Sequence, residues 1–208
     1  MKSKLSDMSC LLKDKTLSPH IPITRPFTES WLKNMLEQHP ILYVKPDCSL
    51  KGIGIIRIDK KATNGYLVRS QDRKKASTHT SFSSVWKTVK FLKRKQSYII
   101  QQGVSSLTST GSPFDVRIHL LRVDNEWTLG GMVAKLNKPK SIVTNGSAGA
   151  VATHIDDLLT SHLGCTQEQA SKLKDQLERV GLSAVNAMRV KKPRWYQYGL
   201  DVGIDANH

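Results

Sequence analysis

Two apolar runs separated by a lysine and a glycine-rich loop constrain this chain more than any other feature. The run at 41–44 leads into Lys45, and Lys51-Gly52-Ile53-Gly54 leads into a second apolar run at 55–58. This order predicts a strand, a loop and another strand, where backbone N–H groups and lysine charges can approach an anion. Because a strand follows the glycines, the stretch is neither a P-loop nor a dinucleotide fingerprint, both of which open a helix. An ordinary glycine hairpin turn fits the same residues equally well.

Composition indicates a globular protein with a strong positive charge. The chain has 208 residues, 38% of them hydrophobic and 24% charged, and a net charge of +15. Such a charge favours polyanionic partners such as nucleotides, nucleic acid or an acidic surface. No apolar stretch approaches the roughly 18 residues that a membrane helix requires, so no membrane partner is expected. Cys10, Cys48 and Cys165 are scattered, which supports neither a disulfide framework nor a zinc ribbon and favours a reducing, cytoplasmic setting.

The periodicity predicts an α+β protein (α/β class) of two lobes, 1–103 and 104–208, with the boundary near the flexible loop at 105–113. Thr28 is expected to cap a helix that turns Trp31 inward, and Thr166 and Gln169 form a capping box. Residues 71–80 are expected to be an exposed polar segment, and residues 137–150 a loop. Helices are predicted at 1–15, 28–39, 81–95 and 166–188, and strands at 41–44, 55–58, 66–70, 98–102, 114–123, 127–136 and 198–204.

Several short motifs occur in one order along nearly the whole chain. This order resembles the ATP-grasp fold and, more narrowly, the YheC/YheD group, the endospore coat-associated proteins of Bacillus-type bacteria. The resemblance implies two lobes with antiparallel or mixed sheets and ATP held between them. The motifs are HIPITRPFT at 20–28, VKP at 44–46, KGIGI at 51–55, YIIQQGV at 98–104, FDVRIHLL at 114–121, IVTNGSAGA at 142–150 and LDVGID at 200–205, preceded by Lys4.

The resemblance also implies a nucleotide site with ATP and Mg²⁺ as cofactors. Lysines at 4 and 45 match residues that reach the phosphates, and a glycine loop folds over them. The hinge strand meets the adenine edge, an aspartate binds the ribose, and an arginine lies near the phosphates or the acceptor as the catalytic candidate. Lysine and arginine suit phosphate, and carboxylate oxygen suits magnesium. The nucleotide-binding residues implied are Lys4, Lys45, Lys51, Gly52, Gly54, Gln101, Gln102, Val104, Asp115, Lys135 and Asn145, with Arg117 catalytic and Asp201 the magnesium ligand.

Two features depart from the family pattern. The family's remaining metal ligands, a Glu-x-Asn, follow LDVGID, whereas this sequence contains no Glu-x-Asn and is expected to be truncated before that strand. Gly149-Ala150 stands where the family has two adjacent glycines. The implied function is therefore an ATP-binding protein derived from an ATP-dependent carboxylate–amine or carboxylate–thiol ligase. In that chemistry ATP phosphorylates a carboxylate, and an unidentified acceptor then attacks the acyl-phosphate and releases phosphate. The alternative is a catalytically inactive structural or interaction protein of the spore, with spore coat proteins as partners.

Simpler interpretations of the same residues stay open at the level of sequence. Lys45 fits an edge-strand lysine that prevents aggregation, and Asp115 with Arg117 fits a surface charge pair. Asp201 fits a solvent-facing strand residue. The histidines show no metal-ligand spacing. The basic runs at 73–75, 93–95 and 191–194 fit either solvated faces or a nucleic-acid surface, and the absence of interleaved aromatic residues disfavours the second.

Overall fold

The structure of the protein, a computed structural model, describes residues 3–48, 52–62, 65–139, 141–144 and 149–205. The chain folds into two compact units, 1–9 with 22–104 and 10–21 with 105–208. Both units contain an antiparallel sheet covered by helices, which confirms the α+β fold class. The lobe boundary after residue 103 stays a prediction. No helix in the described ranges has the length and apolar character to cross a bilayer.

The first unit is built on a six-stranded antiparallel sheet with the strand order β1-β6-β2-β3-β4-β5. Helices α2 and α3 cover one face, because their apolar positions recur every three or four residues. Thr28 caps α2 as predicted, accepting a hydrogen bond from Trp31 N–H. The elements are α1 (Lys4–Leu11), β1 (Thr24–Pro26), α2 (Glu29–Gln38), β2 (Ile41–Pro46), β3 (Ile56–Lys61), β4 (Gly65–Ser70), β5 (Arg73–His79), α3 (Phe82–Leu92) and β6 (Tyr98–Gln102).

One expectation for this unit is incomplete and one is wrong. Residues 71–80 are polar and largely exposed, as expected, but Arg73–His79 also pairs with β4 as an edge strand, which was not predicted. Hydrogen bonds to a neighbouring strand satisfy the backbone N–H and C=O groups of a strand, whichever side chains it carries. A strand of polar residues can therefore form without the alternation of apolar residues from which a strand is predicted. Trp31 does not point inward, since it is 39% exposed and Arg25 Cζ lies 5.0 Å from its ring centroid.

The second unit is built on a four-stranded antiparallel sheet with the strand order β10-β7-β8-β9. The side chains of β7 alternate between the buried and the more exposed face, and Asp124 and Asn125, with φ values of +48° and +67°, turn the chain into β8. Short elements at 151–162 were not anticipated, because they are too brief for periodicity to show. The elements are β7 (Phe114–Val123), β8 (Glu126–Leu136), β9 (Val151–His154), α4 (Ile155–Asp157), a π-helical turn (Leu158–His162), α5 (Gln167–Arg189) and β10 (Gln197–Val202); a 3₁₀ turn at Ser18–His20 precedes them in the chain.

Helix α5 packs along one face of this sheet and begins at the predicted capping box. Thr166 Oγ1 accepts from Gln169 N–H, and the Gln169 side chain accepts from Thr166 N–H. Val180 on α5 is only half-buried, and the neighbouring Gly181 is buried at the interface with the sheet. A Cβ added at Gly181 would lie 3.3 Å from Ile118 Cγ2, so glycine here permits the close approach of helix and sheet.

Candidate functional site

Strand β2 carries Lys45 on the face of the first sheet that the helices leave uncovered. Leu42 and Val44 are fully buried against α2 and α3, whereas Tyr43 and Lys45 alternate with them and point to the other face. Strand β2 pairs with β6 on one side and β3 on the other. The edge-strand interpretation of Lys45 is therefore wrong, because an interior strand has no open edge to protect.

Neighbouring polar groups fix the position of the Lys45 ammonium. Lys45 Nζ donates to Gln101 Oε1 at 2.7 Å and lies 4.9 Å from the ring centroid of Tyr43. Gln101 Nε2 in turn donates to Thr24 Oγ1 at 3.0 Å. The side chain of Gln101, predicted as part of the adenine-binding hinge, thus orients a predicted phosphate-binding lysine in the same unit.

Three more charged residues on this face were not identified from the sequence. Arg57 Nη1 donates to Tyr43 Oη at 3.2 Å, and Arg57 Nη2 lies 2.7 Å from Asp59 Oδ1. Arg69 Nη2 lies 2.9 Å from Asp59 Oδ2. Both arginines contact the Asp59 carboxylate, and Lys45 and Arg57 both approach the Tyr43 ring, so this part of the face carries three cations and one carboxylate. The alternation of Arg57 and Asp59 with buried Ile56 and Ile58 was the signal that could have revealed them.

The glycine loop adopts the conformation that requires glycine and is anchored at Gly54. Gly52 and Gly54 have φ values of +72° and +76°, a region that side-chain-bearing residues seldom occupy. A Cβ at Gly54 would lie 2.9 Å from Tyr98 Oη. Gly54 N–H donates to Asp72 Oδ1 at 3.2 Å, so this N–H is already used within the unit. Lys51 lies outside the described residues.

The other predicted residues of the first unit lie near the two ends of the β2–β6 pair. Lys4 Nζ donates to the carbonyl of Pro46 at 2.8 Å, directly after Lys45 in the chain. Burial lowers the pKa of Lys4, and the nearby Asp47 carboxylate opposes that effect. Gln102 Oε1 accepts from Ile23 N–H at 3.2 Å, and Val104 is 39% exposed. Their roles toward a nucleotide stay predictions.

Four predicted residues of the second unit meet on the face of its sheet that α5 leaves uncovered. Arg117 on β7 is directly opposite Asp201 on β10, and Asp115 on β7 is directly opposite Lys135 on β8. The intervening Val116 and Ile118 are fully buried on the other face. We call Asp115, Arg117, Lys135 and Asp201 the charged cluster.

Ion pairs join all four members of the charged cluster. Arg117 donates from Nε and Nη2 to the two oxygens of Asp201, at 2.7 and 2.8 Å. Lys135 Nζ lies 2.7 Å from Asp201 Oδ1 and 3.3 Å from Asp115 Oδ1, so it bridges the two carboxylates. Thr144 Oγ1 donates to Asp115 Oδ2, a contact that the sequence did not suggest. The next predicted residue, Asn145, lies outside the described residues.

Glycine at position 199 makes room for the Arg117 guanidinium. Gly199 is the β10 residue two positions before Asp201, and a Cβ added there would lie 2.5 Å from Arg117 Nη1. Any side chain at this position would displace the guanidinium from its bidentate contact with Asp201. The β10 sequence therefore supplies both the carboxylate and the space for the arginine that contacts it.

Asp115 is expected to make the stability of the protein depend on pH. Burial is the largest influence and raises the pKa of Asp115 above 3.8, although the Thr144 hydrogen bond and Lys135 oppose it. As pH falls, the folded chain binds a proton at Asp115 at a higher pH than the unfolded chain does. The contribution of Asp115 to the free energy of unfolding therefore falls as pH rises from 3.8 through the raised pKa.

Replacing Asp115 by asparagine should remove this dependence. Chemical denaturation measures the free energies of unfolding of wild type and Asp115→Asn at pH values from 3.8 through the raised pKa. As pH rises, the free energy of unfolding of the variant should increase relative to that of wild type. Asp175→Asn on the exposed side of α5 serves as the control and should run parallel to wild type. A free energy of unfolding that decreases in Asp115→Asn relative to wild type as pH rises would contradict this prediction.

The donor set of the charged cluster fits a magnesium ion that also contacts phosphate. Within the described ranges, no group of three or more His, Cys, Asp or Glu side chains is placed to hold a metal. Asp115 and Asp201 both contact the same lysine ammonium, which shows that their carboxylates surround a place suited to positive charge. Magnesium is commonly held by one or two carboxylates together with phosphate oxygens, and Asp201, the predicted ligand, supplies one such carboxylate.

Comparison with known proteins gives consistent results at the level of sequence family and fold. A curated relative, the endospore coat-associated protein YheD of Bacillus subtilis (strain 168), is 22% identical over 95% of this chain, and the match spans 44% of its own length. The fold is similar to N5-carboxyaminoimidazole synthase from Aspergillus clavatus, a structure in complex with ADP and 5-aminoimidazole ribonucleotide (TM-score 0.54, 9% identity, 99% of this chain and 41% of that one). It is also similar to L-amino acid ligase from Bacillus licheniformis (TM-score 0.52, 13% identity, 99% of this chain and 37% of that one).

The chain thus spans less than half the length of each of these proteins. The family model described as YheC/D-like ATP-grasp matches residues 1–208, which is the entire sequence. The chain therefore belongs to the YheC/D-like ATP-grasp family.

Proposed function

We propose that this protein binds ATP together with Mg²⁺ and descends from an ATP-dependent carboxylate–amine or carboxylate–thiol ligase. The observation that supports this most is the charged cluster, in which two carboxylates and two cations share one face of the second sheet. A triphosphate with magnesium needs cations for its oxygens and carboxylates for its metal. Membership of the ATP-grasp family and the ligase-like structural neighbours support the same proposal.

Each unit, taken by itself, carries groups suited to a nucleotide. In the first unit, Lys45 and Lys4 would neutralise phosphate charge, and the backbone of 101–104 would meet the adenine edge. In the second unit, Asp115 would bind the ribose, and Arg117 and Lys135 would contact phosphate or acceptor oxygens. Asp201 would hold Mg²⁺, which draws electron density from the phosphate oxygens. The remaining action of the chain would be positioning and charge neutralisation, which need no side-chain nucleophile.

A thermal-shift titration tests the binding step. A ligand that binds only the folded state stabilises it by about 2.7 kcal/mol at a hundred times its dissociation constant. We expect Mg·ATP and Mg·ADP to raise the melting temperature in a saturable manner, and AMP with inorganic phosphate to raise it much less. A melting temperature that neither nucleotide changes at millimolar concentration would contradict the proposal.

A second candidate function is a non-catalytic interaction role at the spore coat. The ion pairs favour it, because Asp201 is already neutralised by Arg117 and Lys135 without any metal. The relative from Bacillus subtilis is described as endospore coat-associated, which is compatible with such a role. Sustained ADP formation in the presence of a carboxylate together with an amine or thiol acceptor would favour the ligase, and nucleotide binding without turnover would favour the interaction role.

A further inference from the structure

Close to half of the net charge of this protein lies in one short segment of the first unit. Residues 72–97 contain eight lysines and arginines and a single acidic residue, Asp72, which is a net charge of +7 out of +15. The segment comprises β5, α3 and the turn that follows α3. None of the residues proposed to bind ATP belongs to it.

The single acidic residue of the segment is already paired. Asp72 accepts from Arg94 Nη2 at 2.8 Å and from Gly54 N–H at 3.2 Å. Among the ion pairs of the described residues, Arg94–Asp72 is the one that involves this segment. The segment therefore carries a large excess of positive charge at the protein surface. We call the exposed set the basic surface, and it consists of Arg73, Lys75, Lys87, Lys90, Arg94 and Lys95 together with Phe91.

The basic surface includes the outer edge of a β-sheet. Strand β5 ends the strand order of the six-stranded sheet and pairs with β4, while its outer edge meets no other described strand. Arg73, Lys75, Ala76 and Thr78 lie along this strand, and Arg73, Lys75 and Thr78 are exposed. An edge of this kind presents a row of N–H and C=O groups that can pair with one further strand.

An exposed aromatic side chain lies beside this edge. Phe91 on α3 is 71% exposed, and Arg73 Cζ on β5 lies 4.7 Å from its ring centroid. Helix α3 packs next to β5, so the apolar ring and the strand edge belong to one continuous surface. An extended chain paired with β5 could cover part of this ring while its acidic side chains meet the surrounding lysines.

We propose that the basic surface binds an acidic, extended segment of another polypeptide, which pairs with β5 as an additional strand. The charges distinguish this partner from a second copy of the protein, because two β5 strands placed side by side would bring like charges together. Nucleic acid fits less well, because single strands bind through several stacked aromatic residues and the basic surface offers Phe91 alone. This inference does not depend on ATP binding.

Fluorescence anisotropy with a synthetic peptide tests the proposal on the full chain. The probe is a labelled seven-residue peptide of alternating glutamate and valine, matching the length of β5. We expect saturable binding that weakens as salt concentration rises. The same peptide with N-methyl groups at every residue keeps its charge but loses the N–H donors of both edges, and should bind at least about tenfold more weakly.

Matched variants localise the binding. Arg73→Glu with Lys75→Glu should weaken peptide binding about tenfold or more. Lys13→Glu with Lys33→Glu changes the net charge equally at exposed positions elsewhere and should leave binding within about twofold of wild type. Circular dichroism confirms that all variants are folded.

Three outcomes would overturn the proposal. The first is no binding of the acidic peptide, and the second is equal binding of the N-methylated peptide, which would leave charge without strand pairing. The third is a thymidine oligonucleotide that binds more tightly and displaces the peptide, which would assign the basic surface to nucleic acid instead.

Discussion

Replacing Lys45 by alanine should weaken Mg·ATP binding by about tenfold to a hundredfold. A hydrogen bond to a charged group contributes about 1.5–3 kcal/mol, and Lys45 is held in place by Gln101 rather than free to swing away. The fold should survive, because the aliphatic part of Lys45 lies on the uncovered face of β2 and outside the apolar core. Equilibrium binding of a fluorescent ATP analogue measures the change.

Lys60→Ala is the matched control for this prediction. Lys60 is an exposed lysine on the adjacent strand β3, so its removal changes the net charge by the same amount. We expect Lys60→Ala to bind Mg·ATP within about twofold of wild type. Equal losses in the two variants would mean that the overall positive charge attracts ATP and that Lys45 has no particular role.

Ile118→Ala should destabilise the second unit by about 2–5 kcal/mol. Ile118 is fully buried at the centre of β7, and α5 approaches it closely at Gly181. Truncation leaves a cavity that the rigid contact between sheet and helix cannot collapse to fill. The residue before it on β7 is Arg117, so the loss of packing should also loosen the charged cluster on the opposite face.

Urea denaturation followed by tryptophan fluorescence and circular dichroism measures the Ile118 effect. Ile118→Val removes a single methylene and should cost about 0.5–1.5 kcal/mol. His119→Ala, at the exposed neighbouring position, should change stability by less than about 0.5 kcal/mol. An Ile118→Ala variant as stable as His119→Ala would contradict the packing described for β7 and α5.

Local sequence patterns were sufficient to predict much of the fold. The alternation at 114–123 indicates the two faces of β7, and with them the common face of Asp115 and Arg117. The capping box indicates the start of α5. Strand β5 was missed because a polar strand is defined by its pairing with β4, and pairing between strands leaves no trace in the local pattern. Gly181 was passed over because a glycine in a helix signals nothing until the opposing sheet is known.

The contacts of the candidate site were less predictable than its members. Family resemblance grouped Arg117, Lys135 and Asp201, but their ion pairs depend on the register of β10 against β7. The alternation of Tyr198, Leu200 and Val202 with polar or small residues indicates the face that Asp201 takes, but it does not indicate which residue of β7 lies opposite Asp201. Arg69 was missed for a related reason, since it meets Asp59 only after β3 and β4 pair.

Isothermal titration of ATP with and without Mg²⁺ tests the central proposal most directly. We predict one saturable site whose affinity rises when Mg²⁺ is present. We also predict that Asp201→Asn removes the Mg²⁺ effect, whereas Asp175→Asn, an exposed aspartate on α5, retains it. Absence of saturable ATP binding, or a Mg²⁺ effect that survives in Asp201→Asn, would contradict the account.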